Sequence, residues 1–122
     1  MKYEADNTPS PGELRHSPPF APALAQAQQS TGLARAALDA ANPAALPLVA
    51  AASYDCLRLA AQLAVWRPPS GRRGGRIVAV CDQLEQAGGR GLAISAGRGR
   101  PGEGAEVVAA LQYALTLLAT LV

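Results

Sequence analysis

Residues 77–104, IVAVCDQLEQAGGRGLAISAGRGRPGEG, can be read as a helix or as short strands flanking one, and the choice decides the fold class. Ile77, Val80, Cys81 and Leu84 recur at helical spacing, and DQLEQ carries the 3.6-residue period onward, which predicts a helix over about 76–87. The runs IVAVC (77–81) and LAIS (92–95) are also short and apolar enough for buried strands, in which case the fold is α/β. Gly88, Gly89 and Gly91 are expected to end the helix, and GRGRPGEG to end whatever the LAIS segment forms.

Upstream, RPPSGRRGGR (67–76) reads as a loop. Pro68 and Pro69 stop a helix, and Gly71, Gly74 and Gly75 loosen the backbone. Before it, LVAAASYDCLRLAAQLAVW places Val49, Cys56, Leu59, Leu63 and Trp66 on one face and Asp55, Arg58 and Gln62 on another. Asp55 and Arg58 form an i, i+3 pair worth roughly 0.2–0.5 kcal/mol on a solvated stripe. Asn42 suits the N-cap of that helix and Pro43 its first position, while Pro47 could delay the start. From Pro22 an earlier helix sets Leu24, Ala27, Thr31, Ala34, Leu38 and Ala41 three and four apart, with Gly32 as a weak point.

The first 21 residues hold Pro9, Pro11, Pro18 and Pro19 among polar residues and read as a flexible arm. Residues 22–122 then make a single alanine-rich domain, since 122 residues suffice for one core and not two. The sequence therefore predicts a mostly α fold, a small antiparallel bundle of about four helices with Gly/Arg-rich loops, with α/β as the alternative.

Leu, Ile, Val and Phe number 26, which makes the core thin, and 27 alanines supply much of the remaining apolar surface. Ala, Gly, Arg and Pro together account for 59 residues, with a single Lys against ten Arg, as GC-rich codons of a bacterial genome would give. That codon bias weakens any argument from arginine over lysine. Residues 67–100 nevertheless carry seven arginines against two acids, a net +5, and the remainder of the chain nets −3. Arg72, Arg73, Arg76, Arg90, Arg98 and Arg100 are the candidate anion or nucleic-acid contacts, provided both loops close on one end of the bundle.

Catalytic chemistry finds no foothold. GGRGLAISAGRG matches no phosphate-loop pattern. The only histidine, His16, lies in the arm, where no rigid scaffold brings it to a cysteine or serine. Asp82 and Glu85 read as a solvated helix face. Cys56 and Cys81 read as free thiols of a cytoplasmic chain, so no catalytic, cofactor or metal residues are expected.

The last segment, EVVAALQYALTLLATLV, sets Val108, Leu111, Leu115, Leu118 and Val122 at spacings of three and four, with Glu103 and Glu106 at the favourable N-terminal end. Val107, Leu117 and Leu121 widen the apolar stripe beyond what one neighbouring helix covers. The 16 uncharged residues from Val107 fall short of the roughly 20 that span a bilayer, which argues against a membrane helix. The expectation is a scaffold, adaptor or assembly subunit that binds another protein and itself, as a dimer through this helix. A nucleic-acid-associated bundle using the central arginines is the alternative.

Overall fold

The computed structural model describes residues 18–66, 71–100 and 102–122. They form four helices: α1 Ala21–Asp39, α2 Ala45–Trp66, α3 Arg72–Ala93, and α4 Glu103–Leu121. α3 runs on into a π-type turn at Ile94–Arg98. Among the described residues there is no strand: the expected helix over about 76–87 is present, and both segments of the alternative α/β reading, 77–81 and 92–95, are helical.

Each helix packs against its neighbours in sequence, and α1 closes the square on α4. Every neighbouring pair is antiparallel. Phe20 meets Trp66 edge to face at 4.9 Å where α1 begins and α2 ends, and Arg73 at the start of α3 donates to the Leu121 carbonyl at the end of α4. At the opposite end, Ser95 reaches the Leu46 carbonyl, and Arg90 pairs with Glu103.

Local chemistry sets the α1–α2 turn. The Asn42 N–H bonds the Ala37 carbonyl and the Ala41 N–H bonds that of Leu38, the pair of bonds that closes a helix when the residue past its cap is left-handed. Here that residue is Ala41, at φ +52°, where glycine is the unstrained choice. Asn42 Oδ1 then accepts the Ala44 N–H at 2.8 Å, so Asn42 and Pro43 shape the turn just ahead of α2, which begins at Ala45 and not at the expected Pro43. Pro47 does not delay the helix, which already includes Ala45. First-turn N–H groups have no intrahelical acceptor, so the one proline lacks is not missed there.

Two glycine readings are corrected. GRRGGR is not a loop from Arg72 onward but the first turn and a half of α3, its ladder opened by the Gly75 N–H on the Gly71 carbonyl. Gly88, Gly89 and Gly91 do not end that helix. A Cβ on Gly91 would stand 1.9 Å from Ser53 Oγ and 3.2 Å from Val107 Cγ1, and one on Gly88 2.8 Å from Leu57 Cγ. These two glycines let α2 approach α3, and that packing outweighs a propensity cost of about 1 kcal/mol each. The stop comes later, at Gly97, with φ +84°.

Ser53 is fully buried, and its Oγ has no hydrogen-bond partner. Ser53→Ala is therefore expected to raise unfolding free energy by about 1 kcal/mol in urea titration, because an unpaired buried hydroxyl is lost. Gly91→Ala alone should lower it by about 1–3 kcal/mol through overpacking. The double variant should recover part of that loss, since the closest clash is with the deleted oxygen.

The core is thin, as the composition implies. Ala27, Ala34, Ala52, Ala60 and Ala114 are wholly buried among a limited set of larger residues led by Phe20, Leu59, Leu63, Ile77, Leu84, Leu111 and Leu118. The expected seam of α1 is kept at Ala27, Thr31 and Ala34, whereas Ala41 lies in the turn. The α2 face of Val49, Cys56, Leu59 and Leu63 is buried as its spacing predicts.

Candidate functional site

α3 decides the fate of the arginine patch. Arg72, Arg73 and Arg76 lie in its first two turns, Arg90 in its last turn, and Arg98 and Arg100 at or beyond its end. At about 1.5 Å per residue, Arg72 and Arg90 are about 27 Å apart along the axis. The six candidate arginines therefore make two separate groups at opposite ends of the bundle, not the single patch that the alternative reading needs.

Half of them are already engaged. Arg73 holds the Leu121 carbonyl, a favourable place for a cation because carbonyls at a helix C-terminus carry partial negative charge. Arg90 lies 3.0 Å from Glu103 and 3.7 Å from Glu106. Glu103 also accepts the Arg100 N–H at 3.0 Å and lies 3.9 Å from its guanidinium. That backbone bond, with help from Arg90, holds the Glu103 carboxyl below its usual range. Arg72 and Arg76 remain exposed at an end where the described residues include no Asp or Glu. Binding to DNA or RNA is accordingly expected to be weak. In filter-binding titrations its log-log salt slope should fall by no more than about 2 on changing Arg72 and Arg76 to Ala.

The C-terminal seam is also reassigned. Val108, Leu111, Leu115 and Leu118 are buried inside the chain's own bundle, and only Val122 of the five is exposed. The stripe that looked too wide for one partner is covered by two, because α4 packs on α1 and α3 together. Self-association through those four residues would require opening the fold. The length argument against a membrane also changes. The helix is 19 residues long, starting at Glu103, and by length and composition both it and α2 could cross a bilayer, although 39% of the relevant window of each is buried in the bundle.

Both thiols sit against neighbouring helices of the bundle. Cys56 is fully buried, 3.8 Å from Thr31 Oγ1, and burial pushes its thiol up from 9.0 to about 11. Burial raises Cys81 as well, and its thiol donates to the Ala60 carbonyl at 3.3 Å. The described residues contain no cluster of His, Cys, Asp or Glu able to hold a metal. His16 lies outside the described residues. Asp55 does not need Arg58 as its partner: it accepts from Ser30 and, at 3.5 Å, from Gln26, both on α1.

The raised Cys56 value has an alkaline consequence. Below about pH 9 both folded and unfolded thiols are protonated. Above it the unfolded chain loses the proton first, so stability falls as pH rises toward about 11. The total loss should be about 2–3 kcal/mol. Urea titrations at pH 8, 9.5 and 11 should show this decline in the wild type and a flatter profile in Cys56→Ala.

What sequence reading missed is the outer face of α2. Asp55 and Arg58 are the only charged residues on this 22-residue helix. Tyr54 is 57% exposed, Val65 82% and Leu46 47%, with Val78 and Leu92 of α3 exposed alongside. Pro47, Ala61 and Ala64 are exposed in the same stripe, and Ala50 and Leu57 are half-buried. The signal was present in the sequence. LVAAASYDCLRLAAQLAVW is apolar nearly all round, which marks a helix covered on more than one side.

The chain matches no family model, no curated protein and no solved structure.

Proposed function

We propose that this chain is a non-enzymatic helical interaction module, a scaffold, adaptor or assembly subunit that docks other protein through the outer face of α2. The observation that carries the reading is an apolar stripe running the length of α2, with large residues exposed at both ends and in the middle. Contiguous apolar surface of this extent on a soluble domain marks an interaction site. Two free thiols suit a cytoplasmic setting.

Photo-crosslinking in cells tests this directly. A benzoylphenylalanine at Tyr54 should give adducts of protein mass, whereas one at Tyr113, exposed on the outer side of α4, should not. Adducts at neither position would overturn the reading. The nucleic-acid alternative rests on the exposed Arg72 and Arg76 at one end and Arg98 at the other, and the salt titration above tests the pair.

A further inference from the structure

The stripe on α2 has an internal symmetry that identifies its occupant. Leu46, Ala50, Tyr54, Leu57, Ala61 and Val65 are separated by four, four, three, four and four residues, intervals that read the same in both directions. Turned end for end about the point between Asp55 and Cys56, the helix sets Leu46 against Val65, Ala50 against Ala61, and Tyr54 against Leu57. Pro47 and Ala64 obey the same relation. In an isologous two-fold contact, if residue i touches j then j must touch i, and the spacing of this stripe sets exposed or half-buried apolar residues level with one another at each of these positions.

Resting on the interaction-module reading above, we propose that the partner is a second copy of this chain, joined through antiparallel packing of α2 on α2 about that midpoint. Small residues meet at Ala50 and Ala61, which lets the axes approach to about 8–10 Å. Large residues close both ends of the contact. Charge agrees with the same arrangement. Arg58, exposed at the edge of the stripe, comes level with the Asp55 region of the other copy, within about 3 Å along the axis, so opposite charges draw together twice across the two-fold while Asp55 keeps its bond to Ser30.

Area agrees as well. α2 is about 33 Å long, and with the adjoining side of α3, where Val78 and Leu92 are exposed, the face is about 20 Å wide. Two copies would bury roughly 1,300 Å², inside the range of about 1,200–2,000 Å² for stable interfaces.

Light scattering with size exclusion on the full chain should give twice the 12.5 kDa chain mass at micromolar concentration. Ala61→Arg should raise the dimer dissociation constant at least about 100-fold, with the far-UV circular dichroism of the wild type. Ala109→Arg, on the exposed side of α4, should leave the dimer intact. In a Cys81→Ala background, Ala50→Cys mixed with Ala61→Cys should cross-link to each other in preference to themselves.

A monomer across 1–100 µM, a dimer that survives Ala61→Arg, or 50-to-50 cross-links in excess would overturn the pairing. Where the chain is monomeric, Tyr54 adducts to a different protein would leave the interaction-module reading standing. Co-sedimentation with phosphatidylcholine–phosphatidylserine vesicles in place of dimerisation, without such adducts, would remove both.

Discussion

Phe20→Ala should lower the unfolding free energy by about 3–5 kcal/mol, and in a core this thin that is enough to leave much of the chain unfolded at 37 °C. Phe20 is 1% exposed and is the only phenylalanine in the chain. Its ring stands against the Trp66 indole at an interplanar angle of 72°, an edge-to-face contact worth about 0.5–1.5 kcal/mol beyond area burial. The core cluster it belongs to includes Ala27, Ala60, Ala87 and Ala114, which have no longer side chain with which to fill a space left in it. Thermal melts followed at 222 nm would check this. A fall in midpoint of less than about 5 °C would mean that the aromatic end contributes little.

Leu115→Asp with Leu118→Asp should unfold the chain instead of dissociating it. Both side chains are within the single-chain core, Leu118 at 0% exposure, so the double change places two carboxylates among buried apolar side chains, with polar groups close to position 115 alone. The loss of burial alone is about 4–6 kcal/mol, and the unpaired charges add to it. Circular dichroism should show a largely disordered chain at pH 7. A folded monomer carrying both substitutions would show that α4 lies at a subunit interface after all. Ala61→Arg is the informative contrast, since it alters an exposed position and should separate subunits without melting them.

The fold class was legible because α2 and α4 carry long apolar periods and because Asn42 and Pro43 signal a turn. α3 was only half legible. A single sequence contains nothing to distinguish Gly88 and Gly91 as contact residues from glycines that stop a helix, since the deciding fact is the position of Ser53 and Leu57 on another element. The same blindness gave the Arg72–Arg76 segment to a loop, because the tie from Arg73 to Leu121 spans 48 residues of sequence. The arm boundary was placed two residues late for a related reason: Phe20 follows two prolines but packs against Trp66.

The apolar stripe left exposed is on α2 and not on α4, for a reason of counting. A stripe too wide for one neighbour calls for a second chain only where a helix has a single neighbour, and each helix of a four-helix square has two. α4 uses both and has little large apolar surface to spare. α2 also uses both, and still turns Tyr54 and Val65 outward. Periodicity shows how much of a helix is apolar, and only the assembled bundle shows which part is left over.

The up-and-down connection of the four helices also bears on how fast the chain reaches its native state. α1–α2, α2–α3 and α3–α4 contacts join elements adjacent in sequence, and distant segments are brought together mainly by the α1–α4 closure, with a smaller contact of α2 on α4. Chains with such local contacts fold in microseconds to milliseconds. Closure of α1 on α4 is the step with the longest intervening segment, and the side chains there include Thr31, Gln112 and Leu115 around a surface groove of about 490 Å³. Amides of α1 should thus exchange with solvent deuterium ahead of those in the α2–α3 hairpin, making the first helix the last to lock and the first to let go.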